Sequence, residues 1–240
     1  ASAVVTAGPT QAVVVGGQLI LRKMKGMRRA AIAPVIPSYD RQGKILLDSG
    51  ANVELSSEHI LNLSIYASIV AREVLKREEP KVALVNIGEE ESKGREQDLL
   101  TYKLLEENEN INFFGNLEPT GVFTTDADIL VTDGFTGNIV MKTMEGTAKG
   151  LAMVLEREIK SKFRNKIGYL FMKPALKAFK KSLDASEIGG ALVIGLNHVL
   201  IKAHGSSNDF AFFNAIRQAK DMVEKDVINI VGDIITKKEW

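Results

Sequence analysis

The feature that most constrains this chain is a phrase written five times: a short apolar run, a small polar junction, then a helix-like stretch. "SAVV" passes through "TAGPT" into "QAVVVGGQLILRKM", and "KILL" through "DSGAN" into "SSEHILNLSIYASIVAREVLKR". "KVALVN" passes through "IGEEESKG" into "REQDLLTYKLLEEN", and "ADILVT" through "DGFTGN" into a helical pattern with Val140, Met144, Thr147, Leu151 and Leu155 on one face. "HVLIKA" passes through "HGSSND" into "FAFFNAIRQAKDMVEKDVINIVGDII". Strands alternating with amphipathic helices specify an α/β domain with a largely parallel sheet. The strands are rich in Val, Ile and Leu without polar alternation, so the sheet is expected to be covered on both faces. Leu61, Ile65 and Ile69 recur at helical spacing. No low-complexity linker and no second domain is visible, and the reading is one domain over residues 1–240.

Composition excludes several function classes. Thirty-one Lys and Arg against thirty Asp and Glu leave a net charge of +1, which gives no general attraction to nucleic acid. The absence of cysteine removes disulfides, thiolate metal sites and a cysteine nucleophile, and fits a reducing compartment. The longest apolar run, Ala12 to Leu21, is interrupted by Gly16, Gly17 and Gln18 and is too short to span a bilayer. His59, His198 and His204 are scattered, there is no H-E-x-x-H, and no metal site is expected. Neither G-x-G-x-x-G after a strand nor G-x-x-x-x-G-K-[ST] occurs, which argues against a dinucleotide or nucleoside triphosphate site and implies no cofactor.

The junctions carry what chemistry there is. In open α/β sheets, ligands bind beyond the carboxyl ends of the strands, where helix N-termini present unpaired N–H groups. Glycines there let backbone approach an anion closely. The candidates for a phosphate or carboxylate ligand are Thr6, Gly8 and Thr10 in the first junction and Asp48 and Asn52 in the second. Asp133, Gly134, Thr136 and Gly137 come from the fourth, and Gly205, Ser206 and Ser207 from the fifth. Asp48, Asn52 and Asp133 read equally as turn-fixing groups, because Asx and glycine at such turns are also ordinary capping chemistry. On residue type alone, Asn138 is a helix cap and Lys93, in "EEESKG", a solvated loop residue. His204 could protonate a leaving group or serve the following turn. Gly146 and Gly150 form a G-x-x-x-G that suggests close helix packing.

Residues 160 to 181, "KSKFRNKIGYLFMKPALKAFKK", carry eight basic side chains and no acid. Phe163, Ile167, Leu170 and Phe171 are interleaved with them. This is the composition of a surface that lies on anionic lipid, and equally of a dimer or core helix whose lysines are solvated.

The segments "KGMRRAAIAPVIP", "LLDSGANVELSSEH", "LVNIGEEESKGRE", "INFFGNLE", "DADILVTDGFTGNIVMKTMEG" and "SEIGGALVIGLNHVLIKAHGSSNDFAFFNAIRQA" together resemble the bacterial PlsX family, the acyl-acyl-carrier-protein:phosphate acyltransferases. The resemblance covers nearly the whole chain. It implies a three-layer α/β/α fold like that of isocitrate and isopropylmalate dehydrogenases, a homodimer, and synthesis of acyl phosphate from acyl-acyl-carrier protein and inorganic phosphate, feeding phospholipid synthesis. It also implies a cytoplasmic protein docked peripherally on an anionic membrane surface through residues 160–181, with no nucleic-acid partner. Under it Lys93 and Asn138 become the catalytic candidates, and His204 joins them on residue type as the proton donor to the leaving thiolate. The chain departs from the family pattern at "TAGPTQA", where Pro9 and Gln11 replace an asparagine and a glycine, and at "GGALVIG". Nothing matches the family's opening strand and "AvDaMGGD"-like loop, so an N-terminal segment is expected to be lacking. Two other readings stand beside it: a non-catalytic membrane or carrier-protein binding relative, and another transferase or dehydrogenase of the same fold.

Overall fold

The structure is a computed structural model that describes residues 1–182, 189–205 and 207–236. All five predicted strand–helix units form. They are β1 (Ala3–Thr6) with α1 (Thr10–Gly16), β4 (Lys44–Leu47) with α2 (Ser57–Glu73), and β5 (Lys81–Val85) with α3 (Glu96–Glu106). The last two are β7 (Ile129–Val131) with α4 (Gly134–Ser161), and β9 (Val199–Lys202) with α6 (Asp209–Glu224). Four strands were not legible as such: β2 (Ala31–Ala33), β3 (Val35–Ile36), β6 (Asn112–Leu117) and β8 (Ala191–Ile194). A π-helical turn, Gly17–Leu21, extends α1; α5 (Phe163–Ser182) follows α4, and α7 (Val227–Thr236) follows α6.

The strands divide between two sheets. One has the order β3-β4-β7-β5-β6 and is parallel apart from β3; the other is β1-β9-β8-β2, with only β1 and β9 parallel. The extended segment 31–36 joins them, since β2 pairs with β8 and β3 with β4, either side of Pro34. Pro34 has no N–H to give, but its carbonyl accepts from Leu46 N at 3.0 Å, so the connection to β4 continues past it.

Alternation along the strands makes the three layers. Ile45, Leu47, Val82, Leu84, Ile129 and Val131 point to one face, where α2, α6 and α7 close the main core. Leu46, Ala83, Val85 and Leu130 point to the other, under Val140, Met141 and Met144 of α4. Val13 and Val14 of α1 cover Ile32, Val193 and Leu200 of the second sheet. Helix α2 is buried on nearly every side, from Ile60 to Ala71, as a helix that packs against both sheets must be.

Helix α4 behaves differently along its length. Its 28 residues span about 42 Å, but only Gly134, Gly137 and Val140 are buried. The face expected to continue through Leu151 and Leu155 is solvent-exposed there, because the helix has left the sheet and pairs with α5 as a projecting hairpin. Among the described residues nothing lies within 4 Å of a Cβ built on Gly146 or Gly150, so there the G-x-x-x-G makes no close packing.

Candidate functional site

Chain direction decides where the junctions go. Segment 31–36 runs antiparallel to β4 but, through β8, parallel to β9 and β1. The carboxyl ends of β4, β5 and β7 therefore lie at one edge, and those of β1 and β9 at the opposite edge. The junctions that the sequence presents as one converging set form two groups.

In the first group the polar atoms are spent on one another. The Asp48 carboxylate, fully buried, accepts from the backbone N–H groups of Ile32 (3.1 Å), Gly50 (3.2 Å), Ala51 (3.1 Å) and Asn52 (2.8 Å), and from the Asn52 amide at 2.9 Å. Burial pushes the Asp48 pKa up despite these donors. The Asn52 amide also donates to Ala30 O at 2.8 Å. Asp133 caps α4, its Oδ1 accepting from Thr136 N at 2.7 Å, while Arg95 donates to its Oδ2 at 2.8 Å. Burial works to raise the Asp133 pKa, but the Thr136 N–H and the Arg95 guanidinium outweigh it and hold the carboxyl below its ordinary range.

Gly134 and Gly137 were expected to leave room for an anion. The room is taken: a Cβ at Gly134 would overlap the Asn52 carbonyl oxygen, and one at Gly137 the Asp48 carbonyl oxygen. These glycines admit a neighbouring turn of the same chain. Asn138 projects from the same helix end, and its amide donates to Ser49 O at 3.1 Å. It occupies the side-chain space that Gly50 leaves empty, at a φ of +119° that favours glycine. Lys93 lies in the adjoining β5 loop, 45% exposed and 3.8 Å from Glu90. Its carbonyl accepts from Asn86 Nδ2 at 3.0 Å.

The second group is more open. Thr6 Oγ1 accepts from Gly8 N at 3.1 Å and Thr6 O from Ala203 N at 2.8 Å, which ties the β1 and β9 loops together. Ser207 N donates to His204 O at 3.0 Å, and Asn208 caps α6 by accepting from Ala211 N at 2.9 Å. Among the described residues nothing lies within 4 Å of a Cβ built on Gly205. Ser206 lies outside the described residues.

One cavity of about 640 Å³ reaches both groups. It runs beside residues 32–37, a stretch of about 17 Å at the usual strand rise. Ser49 and Asn138 line it from the first group, and Thr10, Lys202 and His204 from the second. Its walls between are mostly apolar: Pro34, Val35, Ile36, Met141, Met144, Ala148 and Leu151, with Phe123 and Phe179. Lys142 and Glu145 also face it, paired at 2.9 Å. Of the predicted site residues, Thr10, Asn138 and His204 thus share a cavity. Lys93 does not line it, and Thr6, Gly8, Asp48, Asn52, Asp133, Gly134, Thr136 and Gly137 shape its surroundings or stand apart from it.

The hairpin presents the interleaved apolar side chains to solvent. Phe163 is 78% exposed, Leu170 67% and Phe171 84%, with Ile167 less so, and no described residue of α5 is buried.

Residues 1–230 match the family model described as "Fatty acid synthesis protein". The phosphate acyltransferase of Acholeplasma laidlawii is 50% identical over 236 residues, covering 98% of this chain and 71% of that protein. The chain belongs to the phosphate acyltransferase family. The phosphate acyltransferase of Clostridium perfringens is 44% identical over 238 residues, covering 99% of this chain and 70% of its own length. The phosphate acyltransferase of Aster yellows witches'-broom phytoplasma, 46% identical, is covered over 62% of its length. Among solved structures, the EutD phosphotransacetylase of Staphylococcus aureus has a TM-score of 0.55 at 16% identity, over 92% of this chain and 63% of that one. At that identity the likeness speaks for the α/β fold alone. Among the described residues, no helix is long and apolar enough to cross a membrane.

Sequence reasoning did not single out Ser49, Lys142 or Lys202. The first and second have no sequence mark. Lys202 has one: it is a lysine closing the otherwise apolar strand "VLIK", two positions before the junction.

Proposed function

We propose that this chain transfers an acyl group from the thioester of an acyl-acyl-carrier protein to inorganic phosphate, forming acyl phosphate for phospholipid synthesis. The observation that carries the reading, beside family membership, is the cavity: long, mostly apolar along its walls, and polar where Asn138 and Ser49 meet it and again at Thr10, Lys202 and His204. A long acyl chain fits apolar walls, and the reacting carbonyl belongs at the polar end.

The step needs no protein nucleophile. A phosphate oxygen attacks the thioester carbonyl, the C–O bond forms, the C–S bond breaks, and the thiolate leaves with a proton from His204 or water. Negative charge develops on the carbonyl oxygen and requires a preorganised donor. An amide NH₂ has two N–H groups; one of Asn138 is held by Ser49 O, which orients the other. Lys93, loosely held by Glu90 outside the cavity, adds positive charge to the field that an approaching phosphate meets. The test is incubation with acyl-acyl-carrier protein, with and without inorganic phosphate. Phosphate-dependent acyl phosphate with stoichiometric free carrier supports the reading; carrier binding without turnover overturns it.

The proposal extends to a cytoplasmic, homodimeric enzyme that docks on anionic membrane through α5. The support is the exposed stripe of Phe163, Ile167, Leu170 and Phe171 among eight basic residues. Each basic residue near an anionic surface contributes about 1 kcal/mol, and salt weakens that part while leaving apolar burial intact. Replacing Ile167 and Phe171 with aspartate should release the protein from anionic vesicles while turnover of soluble carrier substrate persists. Continued co-sedimentation sinks the membrane reading. Sedimentation equilibrium tests the dimer.

A further inference from the structure

We propose that Lys202 is the phosphoryl-binding cation of this cavity, with Thr10 and His204 beside it, so that phosphate is held on the wall opposite Asn138. The inference rests on the acyltransferase reading for the identity of the anion, but the site itself stands on the geometry.

Lys202 ends β9 and pairs in register with Thr6, the last residue of β1, so it sits where both junctions of the second group begin. Its side chain and that of His204, two residues on, both line the cavity. It is half-buried, and among the described residues its ammonium donates only a long 3.3 Å bond to Ala203 O. Among the described residues no carboxylate lies within ion-pair distance of it, whereas Lys142, the other lysine of the cavity, is matched by Glu145. A half-buried cation without a counter-charge, facing a cavity, is stabilised by an anionic ligand. Burial, and then the Lys142 ammonium, lower its pKa; the charge of an anion bound between the two lysines counteracts that lowering.

The backbone nearby keeps the place accessible. Gly190 lines the cavity, and a Cβ there would meet Ile201 Cγ2 at 2.5 Å and Lys202 O at 2.8 Å, so no side chain from β8's approach can stand over the lysine's root. In the first group the turn N–H groups serve Asp48 and Asp133, and the donor that faces the cavity, the Asn138 amide, is assigned to the carbonyl oxygen. The ligand class is therefore a phosphoryl anion. Inorganic phosphate is one source, and the phosphodiester of a carrier's pantetheine arm is the other.

Lys202→Met and Lys202→Arg separate these. With inorganic phosphate as the anchored species, Lys202→Met raises KM for phosphate by about tenfold or more, the worth of one charge-assisted hydrogen bond, and leaves KM for acyl-carrier protein unchanged. Lys202→Arg restores most of the loss. A rise confined to the carrier KM assigns the site to the pantetheine phosphodiester and overturns the inorganic-phosphate assignment. Unchanged values for both overturn the site. Thermal unfolding gives a readout without turnover: inorganic phosphate raises the midpoint of the wild-type protein and not that of Lys202→Met. Retained stabilisation in that variant refutes the proposal even if it is catalytically slow. Phosphate stabilisation that depends on Lys202, in a protein that makes no acyl phosphate, keeps the anion site and removes the acyltransferase reading. Should Lys202→Met not fold, the ¹³C-methylated lysine resonance assigned with Lys202→Arg decides the matter, since it must move when inorganic phosphate is added.

Discussion

The two groups of strand–helix junctions are built from the same residue types and end in different states. Around Asp48 and Asp133 the turn of one unit is pressed into the helix start of the next, and glycine is required because backbone fills the space. Around Thr6 and His204 the loops touch through a few backbone bonds, Gly205 faces open space, and Lys202 looks into the cavity. Small polar junctions serve equally to pack a turn or to admit a ligand, and only the neighbour that arrives decides which. Asn138 is the exception that links them, because it belongs to the packed group by position and to the cavity by its side chain.

The sharpest way to break this contrast is a methyl group. Gly137→Ala should cost about 4 kcal/mol or more, or prevent folding, since the Asp48 carbonyl cannot retreat without losing its turn. Denaturant unfolding measures it, and a cost under one kcal/mol would show that the two junctions are not packed as described. Asn138→Ala tests the link between the groups. It should slow turnover by roughly 3–4 kcal/mol of activation free energy while melting within a few degrees of the parent. An equal loss of stability and rate would make Asn138 a packing residue only.

Asp48→Asn should destabilise by about 2–3 kcal/mol, because an amide NH₂ would face donors where a carboxylate oxygen accepted them. Arg95→Gln should do less, about 1 kcal/mol at most, since the guanidinium is 61% exposed and solvent screens it. Its signature is in the pH dependence. Asp133 has its folded pKa lowered, so its contribution is complete above the ordinary carboxylate range and is lost as pH falls through the lowered value. Removing Arg95 weakens the lowering, and the acid-unfolding midpoint should move to higher pH; an unchanged midpoint would mean that Thr136 N–H alone sets the effect. The smallest change is expected at Gly205→Ala, within about half a kcal/mol, because no described residue stands within 4 Å of the added methyl. Gly137→Ala and Gly205→Ala form a matched pair, and similar costs at both would erase the contrast.

Much of the scaffold could be read from residue order. Five apolar runs followed by junctions and helical periods became five strand–helix units, because strands buried on both faces need apolar residues at every position. The joining segment 31–36 was not readable, since Pro34 interrupts it and its pairing partners, β4 and β8, are remote in sequence. The exposure of the second half of α4 was not readable for a related reason: helical periodicity reports a face, and says nothing of whether another element reaches it.

By itself the sequence determined the α/β class, the order of the five strand–helix units, the family through its motifs, and the polar residues that any site would have to use. Those follow from local rules of propensity, capping and alternation, which act within a few residues. Tertiary structure alone decided that chain direction reverses across 31–36, that Gly134 and Gly137 admit backbone, and that Asn138 and Lys202 face one cavity. Each of those depends on which distant segment fills a given space, and that is settled by packing among elements far apart along the chain.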